Sequence, residues 1–282
     1  VAAVGAALEH WGFVAIVGHG IDDELLNRAY AAAAELFALP TSTKQRYETP
    51  QDGRQRGYTS FGVEHAKDQP AGDLKEFWHV GRSLPAAHPD AAGLPQNQFP
   101  IEQPAFESLA LALFGQMEHF ADELLAVIAR HLGFPADWFV EKTLHGNSVL
   151  RVIHYPPVGD APPGAVRAAQ HEDINLLTVL PVSTAPGLEL LTRDGRWMPV
   201  LPPAGAVLCD TGDMMHLLTG GRLPATTHRV VNPETDVHSP RFSMPFFMHP
   251  RSSCRLDPID GSPGGRTAAE FLAQRLAETG VG

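Results

Sequence analysis

Between residues 147 and 250 glycine and proline cut the chain into short apolar runs, and this spacing restricts the fold more than any other feature. The runs are Val149–Tyr155, Ile174–Val182, Leu188–Thr192, Trp197–Leu201, Ala206–Asp210, Thr226–Val231 and Phe242–Met248. Each has the length and the turn-bounded setting of a strand. A strand cannot satisfy its backbone N–H and C=O groups alone, so these runs must pair with one another. Asp194-Gly195 between the third and fourth run spells a two-residue hairpin turn. Many short strands joined this way predict a sandwich or a barrel.

The flanks read differently. Gly12–Val17 is a short apolar run closed by Gly18 and Gly20, which predicts a buried strand. Asp22 follows as an N-cap, with Asp23 and Glu24 in the first turn of a helix that Pro40 stops. Residues 50–104 are rich in proline and glycine, and so long a loop-like stretch predicts a cover over something. Pro104 opens a long helix with a stripe of Phe106, Leu109, Leu113, Met117, Phe120, Leu124, Val127 and Ile128, ended by Gly133 and Pro135. After residue 260 a linker leads to a last helix, with Thr267 and Glu270 as its capping box. The expected divisions are a mixed N-terminal region, 1–145, packing on the core, a catalytic core, 146–250, and a C-terminal linker and helix, 251–282.

The net charge of -11 argues against nucleic acid and anionic membranes as partners, because an acidic surface repels both. No apolar run approaches the length of a membrane span, and no secretory signal is legible at the start, although the sequence begins at Val1 without a methionine. Only two cysteines occur, Cys209 and Cys254, without metal-ligand spacing, so reduced thiols in a cytoplasmic protein are expected.

His171-Glu172-Asp173 opens the predicted strand 174–182. On a strand, residues at i and i+2 share a face, so imidazole and carboxylate can converge while Glu172 points away. His228 sits on a later predicted strand. Two histidines and a carboxylate on one side of an ion leave the other side open, which is the ligand set of non-haem iron(II) oxygenases. His216 and His238 are also available as the second histidine. His88-Pro89-Asp90 repeats the H-x-D spelling, but within a proline-rich loop nothing fixes both side chains on one face. Arg241-Phe242-Ser243 places a guanidinium and a hydroxyl on one face, a good clamp for a carboxylate, and Arg251-Ser252-Ser253 is a second copy that reads as surface. Tyr155 offers another hydroxyl. In the 50–104 stretch, Tyr58, Phe61, Glu64, Lys75 and Trp78 could touch a substrate, though none carries a catalytic role.

Read in order, Gly12-Phe13…Gly18-His19-Gly20-Ile21, Asp73–Phe77, Leu150–Pro157, His171–Leu180, Gly187–Leu190, Gly205–Asp213, His228-Arg229-Val230 and Arg241–Ser243 resemble the isopenicillin N synthase-like family of iron(II)/2-oxoglutarate-dependent dioxygenases. The resemblance covers most of the chain. It implies a mainly β fold with flanking helices, the double-stranded β-helix or jelly roll. It implies His171, Asp173 and His228 as iron(II) ligands, in place of His216. Arg241 and Ser243 would grip the distal carboxylate of the co-substrate 2-oxoglutarate, with Tyr155 beside them. The implied reaction consumes dioxygen, releases succinate and carbon dioxide, and hydroxylates a small molecule, with desaturation or ring closure as variants. Plant members usually carry asparagine two positions before the tyrosine, where Ile153 stands here. That departure leaves open an oxidase of the same family that needs no 2-oxoglutarate. A non-catalytic metal- or ligand-binding protein and a zinc hydrolase are more distant alternatives.

Overall fold

The computed structural model describes residues 1–65, 72–89, 91–159, 161–162 and 164–278. In chain order the elements are α1 (Ala2–Trp11), β1 (Phe13–Val17), α2 (Asp23–Phe37), α3 (Thr41–Lys44), β2 (Gly57–Thr59), β3 (Glu76–Gly81), α4 (Pro104–His131) and α5 (Val140–Thr143). There follow β4 (Val149–Tyr155), β5 (Ala168–His171), β6 (Leu177–Pro181), β7 (Leu188–Leu191), β8 (Trp197–Pro199) and β9 (Ala206–Thr211). The last are α6 (Asp213–Leu218), β10 (His228–Val230), β11 (Arg241–Ser243), β12 (Phe246–Met248) and α7 (Ala268–Glu278).

The strands form two antiparallel sheets. The larger runs β1-β9-β6-β12-β4-β3-β2, with β11 also on β4; the smaller runs β5-β10-β7-β8. The strand pattern predicted a sandwich or a barrel, and this is the mainly β, helix-flanked jelly roll that the family resemblance implied. The N-terminal region supplies β1, β2 and β3 to the large sheet itself: Phe13 pairs with Asp210, and Glu76–Gly81 runs against His154–Val149. The stretch 50–104 is therefore more than a cover. Its six-residue strand β3 is buried along its whole length.

Alternation on β4 divides the molecule. Leu150 and Val152 face the main apolar core, while Val149, Arg151, Ile153 and Tyr155 face a cavity on the other side. The same holds on β3, where Trp78 and Val80 join the core and His79 lines the cavity. The helix α4 seals the core side: Phe114 meets Phe246 edge to face with centroids 5.0 Å apart, and Phe106 meets Trp78 at 5.9 Å. Each such fully buried side chain contributes about 1.5–3 kcal/mol relative to exposure, and this stripe fixes the large sheet against the helix.

The end signals act as the sequence predicts. Asp22 Oδ1 accepts from the backbone N–H of Glu24 (2.8 Å) and Leu25 (3.3 Å). Glu270 Oε2 accepts from Thr267 N, and Thr267 Oγ1 accepts from Glu270 N, a reciprocal capping box. Gly195, at φ 78, turns β7 into β8. Both cysteines are buried free thiols. Among the described residues, no helix is long and apolar enough to cross a membrane.

Candidate metal and co-substrate site

Strand register brings the two histidines together. His228, the first residue of β10, pairs directly with His171, the last residue of β5, and their ring centroids lie 4.4 Å apart. Asp173 is not on a strand. The expectation of one strand carrying both His171 and Asp173 is corrected here: β5 ends at His171, and β6 begins only at Leu177. Asn175 breaks the ladder between them, because its side-chain Nδ2 donates to Leu177 O and Thr178 Oγ1, both at 3.0 Å. The bend is held from outside by α6, where Asp213 N donates to Asp173 O (2.7 Å) and Met214 N to Ile174 O (3.2 Å). Convergence thus comes from a pinned bend rather than from strand alternation.

The resulting geometry suits one cation. Ligand atoms of His171, Asp173 and His228 all lie within 4.8 Å of one another. Asp173 Oδ1 is 3.8 Å from His171 Nε2 and 3.7 Å from His228 Nε2. His171 Nδ1 sits 2.7 Å from Ala169 O, and His228 Nδ1 sits 3.1 Å from Thr226 O. A carbonyl only accepts, so each Nδ1 carries the proton and each Nε2 presents its lone pair. Burial, then the neighbouring His228, pushes the His171 imidazole down to about 4, so it is neutral at pH 7. Burial alone would raise the Asp173 carboxyl, but His228 and His171 outweigh it and hold it below the usual range. Thr178 donates to Asp173 Oδ2. Asp210 lies beside them, and burial and the charge of Asp173 push its carboxyl well above the usual range. Phe13 closes one flank, edge to face with His228 at 5.5 Å. Glu172 turns away to accept from Thr227 Oγ1.

Arg241, Ser243 and Tyr155 are buried together where β11 pairs with β4: Arg241 lies opposite Tyr155, and Ser243 opposite Ile153. The Arg241 guanidinium stacks over the Tyr155 ring at 4.9 Å. Nε donates to Ala185 O (3.0 Å) and Nη2 to Ser183 Oγ (2.8 Å), which aims the fork. Among the described residues, the buried Nη1 has no hydrogen-bond partner. A buried orphan donor of this kind costs about 1–3 kcal/mol unless an acceptor arrives, and a carboxylate in the cavity would satisfy it.

The other residues singled out from sequence lie elsewhere. His216 is exposed on α6, and His238 borders a separate hollow with Val158 and Pro162. His88 meets His145 edge to face with centroids 4.3 Å apart, and Asp90 is outside the described residues. Arg251-Ser252-Ser253 is exposed. Trp78 and Tyr58 belong to the core, and Phe61 is exposed beside that separate hollow. Glu64 and Lys75 do line the cavity, joined at 2.7 Å, with Lys75 also 2.8 Å from Asp73. Asp73 ties this group to the site by accepting from Ala169 N (2.9 Å) on β5.

Sequence reasoning missed Thr178, Asp210 and Ser183, which steady the ligands and the arginine. It also missed Arg151, His79, Gln55 and Asn147 on the cavity wall. Arg151 shares the i, i+2 alternation of Ile153 and Tyr155, and that signal could have found it.

Residues 146–250 match the family profile described as the 2OG-Fe(II) oxygenase superfamily, and residues 1–102 match the non-haem dioxygenase N-terminal profile named for morphine synthesis. Gibberellin 3-beta-dioxygenase 1 of Oryza sativa subsp. japonica is 33% identical over 98% of this chain and 73% of its own length. The chain belongs to the 2OG-Fe(II) oxygenase superfamily. Among solved structures, a putative 2OG-Fe(II) oxygenase family protein of Caulobacter crescentus is 40% identical, with TM-score 0.89 over 98% of this oxygenase and 92% of that chain. A full-length Neurospora crassa protein, solved in complex with alpha-KG and thymine, is 27% identical, with TM-score 0.83 over 98% of this oxygenase and 89% of its own chain. This oxygenase is an iron(II)/2-oxoglutarate-dependent dioxygenase of the isopenicillin N synthase-like family, with iron(II) as cofactor and 2-oxoglutarate as co-substrate.

Proposed function

We propose that His171, Asp173 and His228 hold the iron(II), that Arg241 with Ser243 and Tyr155 holds the distal carboxylate of 2-oxoglutarate, and that the enzyme oxidises a C–H bond of a small molecule in the adjoining cavity. The observation that carries the reading is the meeting of two Nε2 lone pairs and one carboxylate oxygen within 4.8 Å. The buried, unpartnered Nη1 of Arg241 supports the co-substrate assignment.

Iron(II), 2-oxoglutarate and dioxygen together supply the oxidising chemistry: the keto acid loses carbon dioxide to become succinate while a substrate C–H bond is oxidised. The residues of this chain supply placement. The carbonyls of Ala169 and Thr226 hold both imidazoles in the ligating tautomer. Thr178 occupies Asp173 Oδ2 and leaves Oδ1 facing the histidines. Arg241 takes up a carboxylate by charge and direction, and Ile153 keeps the neighbouring surface apolar where plant relatives usually carry asparagine. Phe13 and Leu180 give the cavity apolar lining. The cavity, about 440 Å³, is of a size for a metabolite rather than a polymer. Hydroxylation is the expected outcome, with desaturation or ring closure as variants. The buried reduced thiols Cys209 and Cys254 support a reducing, cytoplasmic setting.

The test is succinate formation from 2-oxoglutarate with iron(II) and air, alone and with a metabolite panel. The expected result is a slow basal rate that one class of compound accelerates, lost in Asp173→Ala. Equal succinate formation by the folded Asp173→Ala protein would overturn the reading.

A further inference from the structure

The cavity wall made by the segment before β2 and the turn before β4 is wired by a directional chain of hydrogen bonds. Arg56 is fully buried, and its Nη2 donates to Asn147 Oδ1 at 2.7 Å. A guanidinium has only donors, so the carbonyl end of the Asn147 amide must face it. The Nδ2 end then faces Gln55 and donates to its Oε1. This turns the Gln55 NH₂ group outward, where it donates to no described residue. Asn147 and Gln55 both line the cavity. The relay therefore ends in N–H donors at the substrate wall.

A charge stands behind it. Lys75 and Arg151 face the cavity, but Glu64 and Asp73 match them: Lys75 pairs with both acids, and Arg151 pairs with Glu64 at 3.0 Å. Arg56 has no carboxylate within ion-pair reach among the described residues, and its Nε is buried without a hydrogen-bond partner. Burial pushes it down to about 10, so it stays cationic at pH 7. The sequence reserves its place with Gly81, where an added Cβ would lie 1.9 Å from the Arg56 Cζ. In a chain of net charge -11, an unmatched buried cation beside the cavity goes against the overall balance. His79 and His249, the nearby imidazoles, are held neutral by burial, and each has its Nδ1 bonded to a backbone carbonyl.

We propose that this wall receives a carboxylate of the substrate, with Gln55 in contact and Asn147 and Arg56 orienting and charging the contact from behind. The enzyme thus takes small organic acids and oxidises them at a carbon away from the acid group. This rests on the functional reading above. Gln55 is a specificity residue, and Arg56 is a positioning residue that acts through Asn147.

The test uses anaerobic protein loaded with iron(II) and saturating 2-oxoglutarate, titrated with a panel of monocarboxylates and their matching primary carboxamides. The visible iron–2-oxoglutarate charge-transfer band reports that metal and co-substrate are in place, and its perturbation reads binding of the panel member. Acids are expected to bind at least about tenfold more tightly than their amides, the worth of a hydrogen bond to a charged group. Asn147→Asp inverts the relay: the new carboxylate satisfies Arg56 and accepts from Gln55, whose carbonyl then turns outward. In that variant the acid preference is expected to vanish or reverse, and Gln55→Leu is expected to lose about tenfold for acids alone. An intact band with no acid–amide discrimination, or a preference unchanged in Asn147→Asp, would overturn this proposal alone. Absence of the band in the wild-type protein would overturn the functional reading and the proposal with it.

Discussion

The hydroxyl of Thr178 donates to Oδ2 of Asp173, so the other oxygen of that carboxylate is the one left 3.7–3.8 Å from both imidazoles. A residue on β6 thereby sets which lone pairs a carboxylate in the preceding bend can offer to a metal. Thr178→Val keeps the shape and removes the bond. Supporting groups of this kind are worth about 10–100-fold in metal affinity. Iron(II) titration of Thr178→Val under argon is expected to show weakening in that range with little change in thermal stability; unaltered affinity would deny the hydroxyl this role.

Arg241 is the counterpart on the co-substrate side. Arg241→Gln leaves a bound carboxylate without its ion pair, and loss of one partner from a buried charged pair costs about 2–5 kcal/mol. The Kd for 2-oxoglutarate, read from the visible band, is expected to rise by about two orders of magnitude or more. Ser243→Ala removes a neutral hydroxyl and is expected to cost about tenfold or less. A larger loss from Ser243→Ala than from Arg241→Gln would argue that Ser243, rather than Arg241, is the main contact.

Legibility from sequence followed the physics of each signal. Short turn-bounded apolar runs, Asp194-Gly195, Asp22 and the Thr267–Glu270 box act locally, so most strands were readable, although the expected strand Phe242–Met248 divides into β11 and β12 and Ala168–Gln170 of β5 was not expected. The bend at 172–176 was not, because the residues that hold it come from α6, some forty positions later. The strand β3 hid among prolines, since its burial is decided by pairing with β4 across seventy positions. His171 and Asp173 were found by a strand argument that the structure replaces with a pinned bend. Arg56 and Asn147 carry no local signal at all, since an arginine that meets an amide ninety-one positions away is visible only in three dimensions.

Acid sensitivity should trace to Glu64. Burial alone would raise its carboxyl, but Arg151 and Lys75 outweigh this and hold it well below the usual range. A carboxylate whose folded pKa lies below its unfolded value, about 4.3, stabilises the fold fully above that value and loses this contribution progressively as pH falls from there towards the folded pKa. Glu64→Gln is therefore expected to be less stable than wild type at pH 7, with the Tm gap narrowing progressively as pH falls below about 5. A gap that stays constant over that range would place the acid-labile group elsewhere.

The most direct test is an anaerobic calorimetric titration of iron(II) into metal-free wild-type, His171→Ala, Asp173→Ala and His228→Ala proteins, each checked for folding by circular dichroism. One tight site per chain is expected in wild type, with affinity lost in all three folded variants. A tight, stoichiometric site that survives any one of these substitutions would contradict the assignment of these three side chains to a single ion.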